Sequence, residues 1–143
     1  MIVPDANLLL YAYDSTSPFH RAAARWWAAL LSSVEPVGLC PVVVFAFLRL
    51  STHPKVFEHP LTVAEASQRI GSWLARPNVR LLVASPAHVD SVCRLLTKAG
   101  TAGNLVTDAQ IAALAVEYGA TVHTADTDFI RFKGVSCENP LLT

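Results

Sequence analysis

Short apolar runs alternate with longer amphipathic segments along the whole chain. The short runs predict buried β-strands, and they lie at residues 2–4, 37–40, 79–84, 120–124 and 134–142, the last with a tail. The longer segments predict helices at residues 8–13, 19–33, 41–50, 61–75, 86–98 and 107–119, with a turn and a short helix at 125–132. Strands that alternate with helices in this way predict an α/β domain with a mostly parallel sheet covered on both faces.

Local patterns support several of these helix boundaries. Thr62, followed three residues later by Glu65, forms a capping-box pattern at a helix start. Gly119 follows the last apolar position of its segment, as is typical of the residue just past a helix C-terminus. Residues 41–50 are ambiguous, because their valines favour a strand whereas the leading Pro41 and the length favour a buried helix. We predict a helix there.

Length and composition favour one compact domain, which we expect to span residues 1–143. Apolar residues make up 52% of the chain and charged residues 15%, so much of it is expected to lie in a core or an interface. The formal net charge is zero. This balance argues against nucleic-acid binding through a broadly basic surface, although it leaves room for local basic patches.

The cysteines and the apolar runs indicate where the protein works. Cys40, Cys93 and Cys137 form no CxxC pair, and no secretory segment precedes the first predicted strand. A reduced, cytoplasmic protein is therefore expected. The longest uncharged run, residues 36–48, is too short to span a bilayer, so no membrane association is expected.

Four aspartates stand at junctions between predicted strands and helices. Asp5 closes the first strand, and Asp126 and Asp128 follow the strand at 120–124. Asp108 opens a later helix, where the chain re-enters the same edge of the sheet. Ligands of open α/β sheets bind just beyond the carboxyl ends of the strands, so we expect these four side chains to share one crevice.

Taken singly, each of these aspartates could cap a helix or a turn. Carboxylates that converge in one crevice repel each other, however, and partial burial raises the cost further. A divalent cation removes that cost, and a set of oxygen ligands suits Mg²⁺ or Mn²⁺. Such a cation can activate water and stabilise charge on a phosphodiester, and it attracts phosphate without a basic surface.

Other chemistries lack their motifs in this chain. No GxGxxG, P-loop, GxSxG or HExxH pattern is present, and the five histidines show no close ligand spacing. A haloacid-dehalogenase phosphatase requires a DxD after its first strand, where this chain has Asp5-Ala6-Asn7. A metal-dependent phosphatase for small substrates would need a closed pocket, which no sequence pattern indicates.

Five stretches, taken in order, resemble one protein family over essentially the whole chain. They are PDANLLLYAYD, SPFHRAAARWW, FLRLSTHPKVF, GNLVTDAQIAALAVEYGA and HTADTDFIRFKGVSCENPL. Together they resemble the VapC toxins, the PIN-domain ribonucleases of bacterial VapBC toxin–antitoxin pairs. The resemblance implies a three-layer α/β/α PIN fold and a Mg²⁺- or Mn²⁺-dependent endoribonuclease that cleaves structured RNA such as tRNA or rRNA. It also implies a homodimer that a cognate VapB antitoxin neutralises.

Matching by motif carries the family's site residues onto this chain. Asp5, Asp108 and Asp126 correspond to the metal ligands, and Asp128 to an acid that supports them or orients the attacking water. In-line attack would then leave a 3′-hydroxyl and a 5′-phosphate. Two further polar residues fall close to the site in the family: Asn7 and Thr124.

One position departs from the family pattern. Many PIN domains carry a glutamate three residues before an arginine, whereas this chain has Ala46 before Arg49. We expect the aspartates to hold one metal ion with water in place of the missing ligand. The alternative is a catalytically weak binding module that acts through its VapB partner and through RNA or operator DNA.

Overall fold

A five-stranded, fully parallel sheet forms the centre of the protein. The computed structural model describes residues 1–142, and the strands are β1 (Ile2–Pro4), β2 (Val37–Leu39), β3 (Val79–Leu81), β4 (Thr121–His123) and β5 (Cys137–Glu138). Their order across the sheet is β3-β2-β1-β4-β5, and every neighbouring pair is parallel. The predicted α/β class is confirmed, with a sheet that is entirely rather than mostly parallel.

Six α-helices connect the strands within residues 1–142. They are α1 (Ala6–Tyr13), α2 (His20–Leu31), α3 (Pro41–Ser51), α4 (Val63–Leu74), α5 (His88–Ala99) and α6 (Val106–Glu117). Two 3₁₀ turns, Gly103–Leu105 and Thr127–Arg131, precede α6 and follow β4. The ambiguous residues 41–50 are helical, as predicted, because Pro41 occupies the first turn and α3 buries its apolar residues in the core.

The helices form two layers, one on each side of the sheet. Helices α1 to α4 pack on one another, with α1 between α2 and α3, and α5 packs against α6. This arrangement confirms the predicted three-layer architecture. Helix α6 is buried on more than one side, because Ala109, Ile111, Ala112, Ala113, Leu114 and Ala115 all lie in the core. Its small side chains allow that close packing.

Several predicted boundaries hold. Thr62 and Glu65 form the complete capping box at the start of α4, with both backbone-to-side-chain hydrogen bonds present. Gly119 follows α6 with a φ of 61°, a conformation that a residue with a Cβ adopts at a cost.

The third strand is shorter than its apolar run. Residues 79–84 were expected to form it, but it ends at Leu81. The reason is that its partner strand β2 ends at Leu39, which pairs with Leu81, and the chain then turns into α3. Beyond the strand, the hydroxyl of Tyr118 bonds both the N–H and the carbonyl of Val83, at 3.2 and 3.0 Å.

The sheet contains a topological switch point between β1 and β4. The chain builds outward from β1 through β2 to β3, and then crosses to the other side of β1 to form β4. The carboxyl ends of β1 and β4 therefore border a crevice, the usual ligand position in such sheets. Among residues 1–142, no helix has both the length and the hydropathy needed to cross a membrane.

Candidate active site

Asp5 lies at the end of β1, in the floor of the switch-point crevice. Asp5 is only 5% exposed, and its backbone N–H donates to the carbonyl of His123 on β4 at 2.9 Å. One carboxylate oxygen accepts from the backbone N–H of Ala6 at 2.7 Å and thereby caps α1. The other accepts from the hydroxyl of Thr124 at 2.8 Å. The carboxylate is thus held by the first residue of α1 and by the residue that follows β4.

Thr124 links Asp5 to the acidic turn that follows β4. The residue is 4% exposed, and its hydroxyl oxygen also accepts from the backbone N–H of Asp126 at 2.9 Å. Asp126 in turn accepts from the backbone N–H of Asp128 at 2.8 Å and caps the Thr127–Arg131 turn. A continuous chain of hydrogen bonds therefore positions three of the four candidate aspartates.

The fourth aspartate, Asp108, comes from the helix layer formed by α5 and α6. Asp108 lies in the first turn of α6, half-buried, and faces the turn after β4. One carboxylate oxygen each from Asp108, Asp126 and Asp128 lie within 4.8 Å of one another. These three oxygens could hold one hard cation, because they are close together, belong to carboxyl groups and are partly open to solvent. Asp5 is not part of this group of three.

The electrostatics of the cluster favour a bound cation. Burial, with the charges of Asp5, Asp126 and Asp128, raises the pKa of Asp108 to about 7. Burial also raises the pKa of Asp5, and the charge of Asp126 adds to this, whereas the hydrogen bonds from Thr124 and Ala6 oppose it. Asp5 is therefore within electrostatic reach of Asp108 and Asp126. A divalent cation reverses the unfavourable interactions among all four.

Asp108, Asp126 and Asp128 meet at the carboxyl edge of the sheet. Asp5 is connected to them through Thr124, which lies at the site as the family resemblance implied. Sequence reasoning missed Cys40, which follows β2 and begins α3. Burial and the charge of Asp5 raise the pKa of its thiol to about 12, so it is a neutral group beside the acids. One indication of this location was present in the sequence, because Cys40 ends an apolar run in the same way that Asp5 follows the first one.

His123 was also missed as a neighbour of the site. Its Nδ1 accepts from the indole N–H of Trp26 at 3.1 Å, which ties α2 to β4 directly behind Asp5. Burial lowers the pKa of this histidine, partly offset by Glu138 and Glu35. The sequence predicted only that His123 lies near the end of a strand, not that it contacts Trp26.

The sequence profile of the PIN domain matches residues 2–135. The chain belongs to the PIN-domain family. Ribonuclease VapC33 of Mycobacterium tuberculosis is 45% identical to it over 141 residues, which cover 99% of each chain. This likeness confirms the VapC resemblance drawn from the motifs.

Solved structures show the same PIN fold. VapBC2 from Rickettsia felis, bound to a DNA fragment from its promoter, matches with a TM-score of 0.70 and 19% identity over 97% of this chain and 98% of that one. VapC20 of Mycobacterium tuberculosis, described as a sarcin-ricin loop cleaving toxin, matches with a TM-score of 0.70 and 18% identity over 91% and 93%. At these identities the likeness supports the fold alone.

Proposed function

We propose that this chain is the endoribonuclease toxin of a VapBC pair and depends on Mg²⁺ or Mn²⁺. The observation that carries the proposal is the cluster of Asp108, Asp126 and Asp128, whose carboxylate oxygens lie within 4.8 Å at the switch point of a PIN domain. A protein that only binds a partner gains nothing from crowded like charges, because each costs free energy. Relatives of 45% and 42% identity carry the name ribonuclease.

The residues fit such a cation, since every donor is a carboxylate oxygen. Asp5, Asp108 and Asp126 are the proposed ligands. Asp128 completes the set or accepts the proton of the attacking water. Both Asp5 oxygens already accept a hydrogen bond, but a carboxylate oxygen has a second lone pair to offer. When bound, Mg²⁺ or Mn²⁺ supplies Lewis-acid activation of the phosphodiester and of water.

The proposed product pattern follows from in-line attack of water on the phosphorus atom. The P–O bond to the 3′ oxygen breaks, so a 3′-hydroxyl and a 5′-phosphate remain. The proposed substrate is structured RNA, such as a tRNA or an rRNA loop. Support for that class comes from VapC20, a structural neighbour described as cleaving the sarcin-ricin loop.

A cognate VapB antitoxin is the proposed partner, and the working form is proposed to be a homodimer of single-domain chains spanning residues 1–143. The VapBC complexes among the structural neighbours support the antitoxin. The homodimer is an inference from the family.

Cleavage of RNA with and without metal tests the function. We expect Asp5→Asn to lower the cleavage rate of total tRNA and rRNA in Mg²⁺ or Mn²⁺ by about 10- to 100-fold or more, because the substitution removes a proposed ligand. Asp90→Asn is the matched control, since Asp90 is exposed and pairs with Arg94 on α5. If Asp5→Asn cleaved as fast as the wild type, the assignment of the site would be wrong.

Ala46 is the observation that favours the second candidate, a PIN-fold binding module without turnover. It lies half-buried within α3, where many family members have glutamate. This candidate predicts that wild-type protein binds VapB and RNA or operator DNA but cleaves no RNA at any Mg²⁺ or Mn²⁺ concentration. The cleavage assay above therefore separates the two candidates.

A further inference from the structure

A small cavity opens beside Asp126. It lies between the Thr127–Arg131 turn and the segment that begins with β5, and it has a volume of about 210 Å³. This is below the range of roughly 300–1,000 Å³ that holds a drug-sized ligand. It suits one planar heterocycle. Because Asp126 lines it, any group bound there is adjacent to the proposed metal centre.

Two aliphatic side chains flank this cavity. Ile130 is 75% exposed and Leu142 is 79% exposed, although both are large and apolar. Exposed apolar side chains scattered singly need no explanation, but this pair lines the same cavity as Asp126 and Glu138. A flat base bound in the cavity would cover apolar surface of these side chains. The cavity therefore offers the apolar contact that the face of a nucleobase needs.

Among the polar side chains that line the cavity, Glu138 supplies two acceptor oxygens and Asn139 supplies a donor group. Glu138 lies on β5, so its backbone position is fixed, and the nearest cation-forming nitrogen, His123 Nε2, is 3.8 Å from its carboxylate. Asn139 accepts from the backbone N–H of Leu141 at 3.0 Å through Oδ1. That bond orients the amide, and within residues 1–142 no hydrogen bond uses its Nδ2. The side chain of Glu138 is 71% exposed despite its contact with His123, so its carboxylate and the Asn139 amide nitrogen can both meet the edge of a base.

We propose, on the basis of the proposed ribonuclease function, that this cavity is a guanine subsite that selects the nucleotide beside the cleaved phosphodiester. Guanine is the RNA base with two adjacent N–H donors, N1–H and N2–H, and these match the two oxygens of the Glu138 carboxylate. The O6 acceptor of guanine matches the N–H of Asn139. Adenine, cytosine and uracil each lack the adjacent pair of donors, so each leaves one carboxylate oxygen without a partner. Bidentate pairs of this kind discriminate strongly between bases.

Sequencing of cleavage products tests the subsite directly. The substrate is an RNA hairpin with a fully randomised loop, digested by the wild-type protein in Mg²⁺ or Mn²⁺. We expect guanine to be enriched about tenfold or more over adenine at one fixed position flanking the cleaved bond, the size expected for one bidentate contact. Equal use of all four bases at both flanking positions would overturn the guanine subsite.

Variants separate recognition of the base edge from contact with its faces. Glu138→Gln replaces one acceptor by a donor, and we expect it to abolish the preference for guanine over adenine. Ile130→Ala should weaken the binding of all four bases to a similar extent and leave the preference for guanine intact, because it removes apolar contact and no hydrogen-bonding group. Glu117→Gln is the control, an exposed glutamate at the end of α6 outside the cavity, and it should change neither rate nor preference. A preference that survives in Glu138→Gln would refute the assignment.

A binding measurement keeps the subsite distinct from the nuclease proposal. Guanosine 5′-monophosphate and adenosine 5′-monophosphate are titrated into the wild-type protein with Mg²⁺ by calorimetry. We expect the guanine nucleotide to bind about tenfold more tightly, and Glu138→Gln to remove the difference. If RNA is cleaved without base preference and the two nucleotides bind equally, the subsite is wrong and the nuclease stands. If no RNA is cleaved, a guanine preference in binding still supports the subsite, and equal binding refutes it.

Discussion

Thr124 has the most specific task of any single side chain at the site, because its hydroxyl joins the carboxylate of Asp5 to the backbone of Asp126. Thr124→Val keeps the shape but leaves a buried acceptor and a donor without partners. We expect a loss of about 1–3 kcal/mol in the free energy of unfolding. Weaker Mg²⁺ binding should accompany it, since Asp5 and Asp126 lose their common support. Urea unfolding and metal titration measure the two effects.

The matched variant for that experiment is Thr124→Ser, which retains the hydroxyl and should restore most of the metal affinity. If Thr124→Val and Thr124→Ser bound Mg²⁺ with equal affinity, the hydroxyl of Thr124 would have no role in positioning the aspartates.

The negative charge of Asp108 is costly in the metal-free protein. Its pKa is raised from 3.8 to about 7, so the folded state favours the neutral form and stability is lost as the pH rises from about 4 to about 7. Asp108→Asn imitates the neutral form. We expect it to raise the melting temperature of the metal-free protein, and to raise it more at pH 8 than at pH 5. An equal gain at both pH values would show that repulsion is not the cause.

At the residue scale, the sequence indicated which aspartates would meet but not how they are held. Strand ends and helix starts can be located from apolar patterns, so Asp5, Asp108 and Asp126 could be assigned to one edge of the sheet. The hydrogen bonds through Thr124, the tie between Trp26 and His123, and the omission of Asp5 from the closest group all depend on tertiary contacts. No local pattern encodes such contacts.

Among the elements, α4 offers the clearest test of local stability. Thr62 accepts from the N–H of Glu65 at 3.1 Å and completes the capping box. Thr62→Ala should therefore lower the free energy of unfolding by about 1 kcal/mol, with no change in RNA cleavage. Urea denaturation measures the loss, and Thr62→Ser should show little of it. A larger loss that Ser does not restore would indicate packing rather than capping.

Helices were easier to predict than strands. Helix α3 was assigned from its proline and its length, and α6 from its apolar face and Gly119. The strands proved to have two or three residues each, fewer than the apolar runs at 79–84 and 134–142 suggested. An apolar run marks what is buried, whereas a strand also needs a partner strand beside it. That partner is a property of the whole sheet.

For the molecule as a whole, metal binding and folding should be linked. A ligand that binds the folded chain alone stabilises it by about 2.7 kcal/mol at 100 times its Kd. We expect Mg²⁺ or Mn²⁺ to raise the melting temperature, and to raise it more at pH 8 than at pH 6, because the pKa of Asp108 is about 7 and the bound form needs its carboxylate ionised. Thermal scans with metal or with chelator measure the shift.

Asp108→Asn provides the control for that experiment. The variant should show a smaller shift with metal and a weaker dependence on pH between 6 and 8. A shift that is the same at both pH values, or the same in the variant, would contradict the role of Asp108 as a ligand.

Asp5 and Thr124 are 119 positions apart, yet one hydrogen bond joins them across β1 and β4. A polypeptide emerging from the ribosome presents the first of these residues at once and the second only near the end of synthesis. For the proposed nuclease, the aspartate cluster is therefore incomplete in a nascent chain until residues 124–128 have left the ribosomal exit tunnel, so the chain cannot cleave the messenger that encodes it before then.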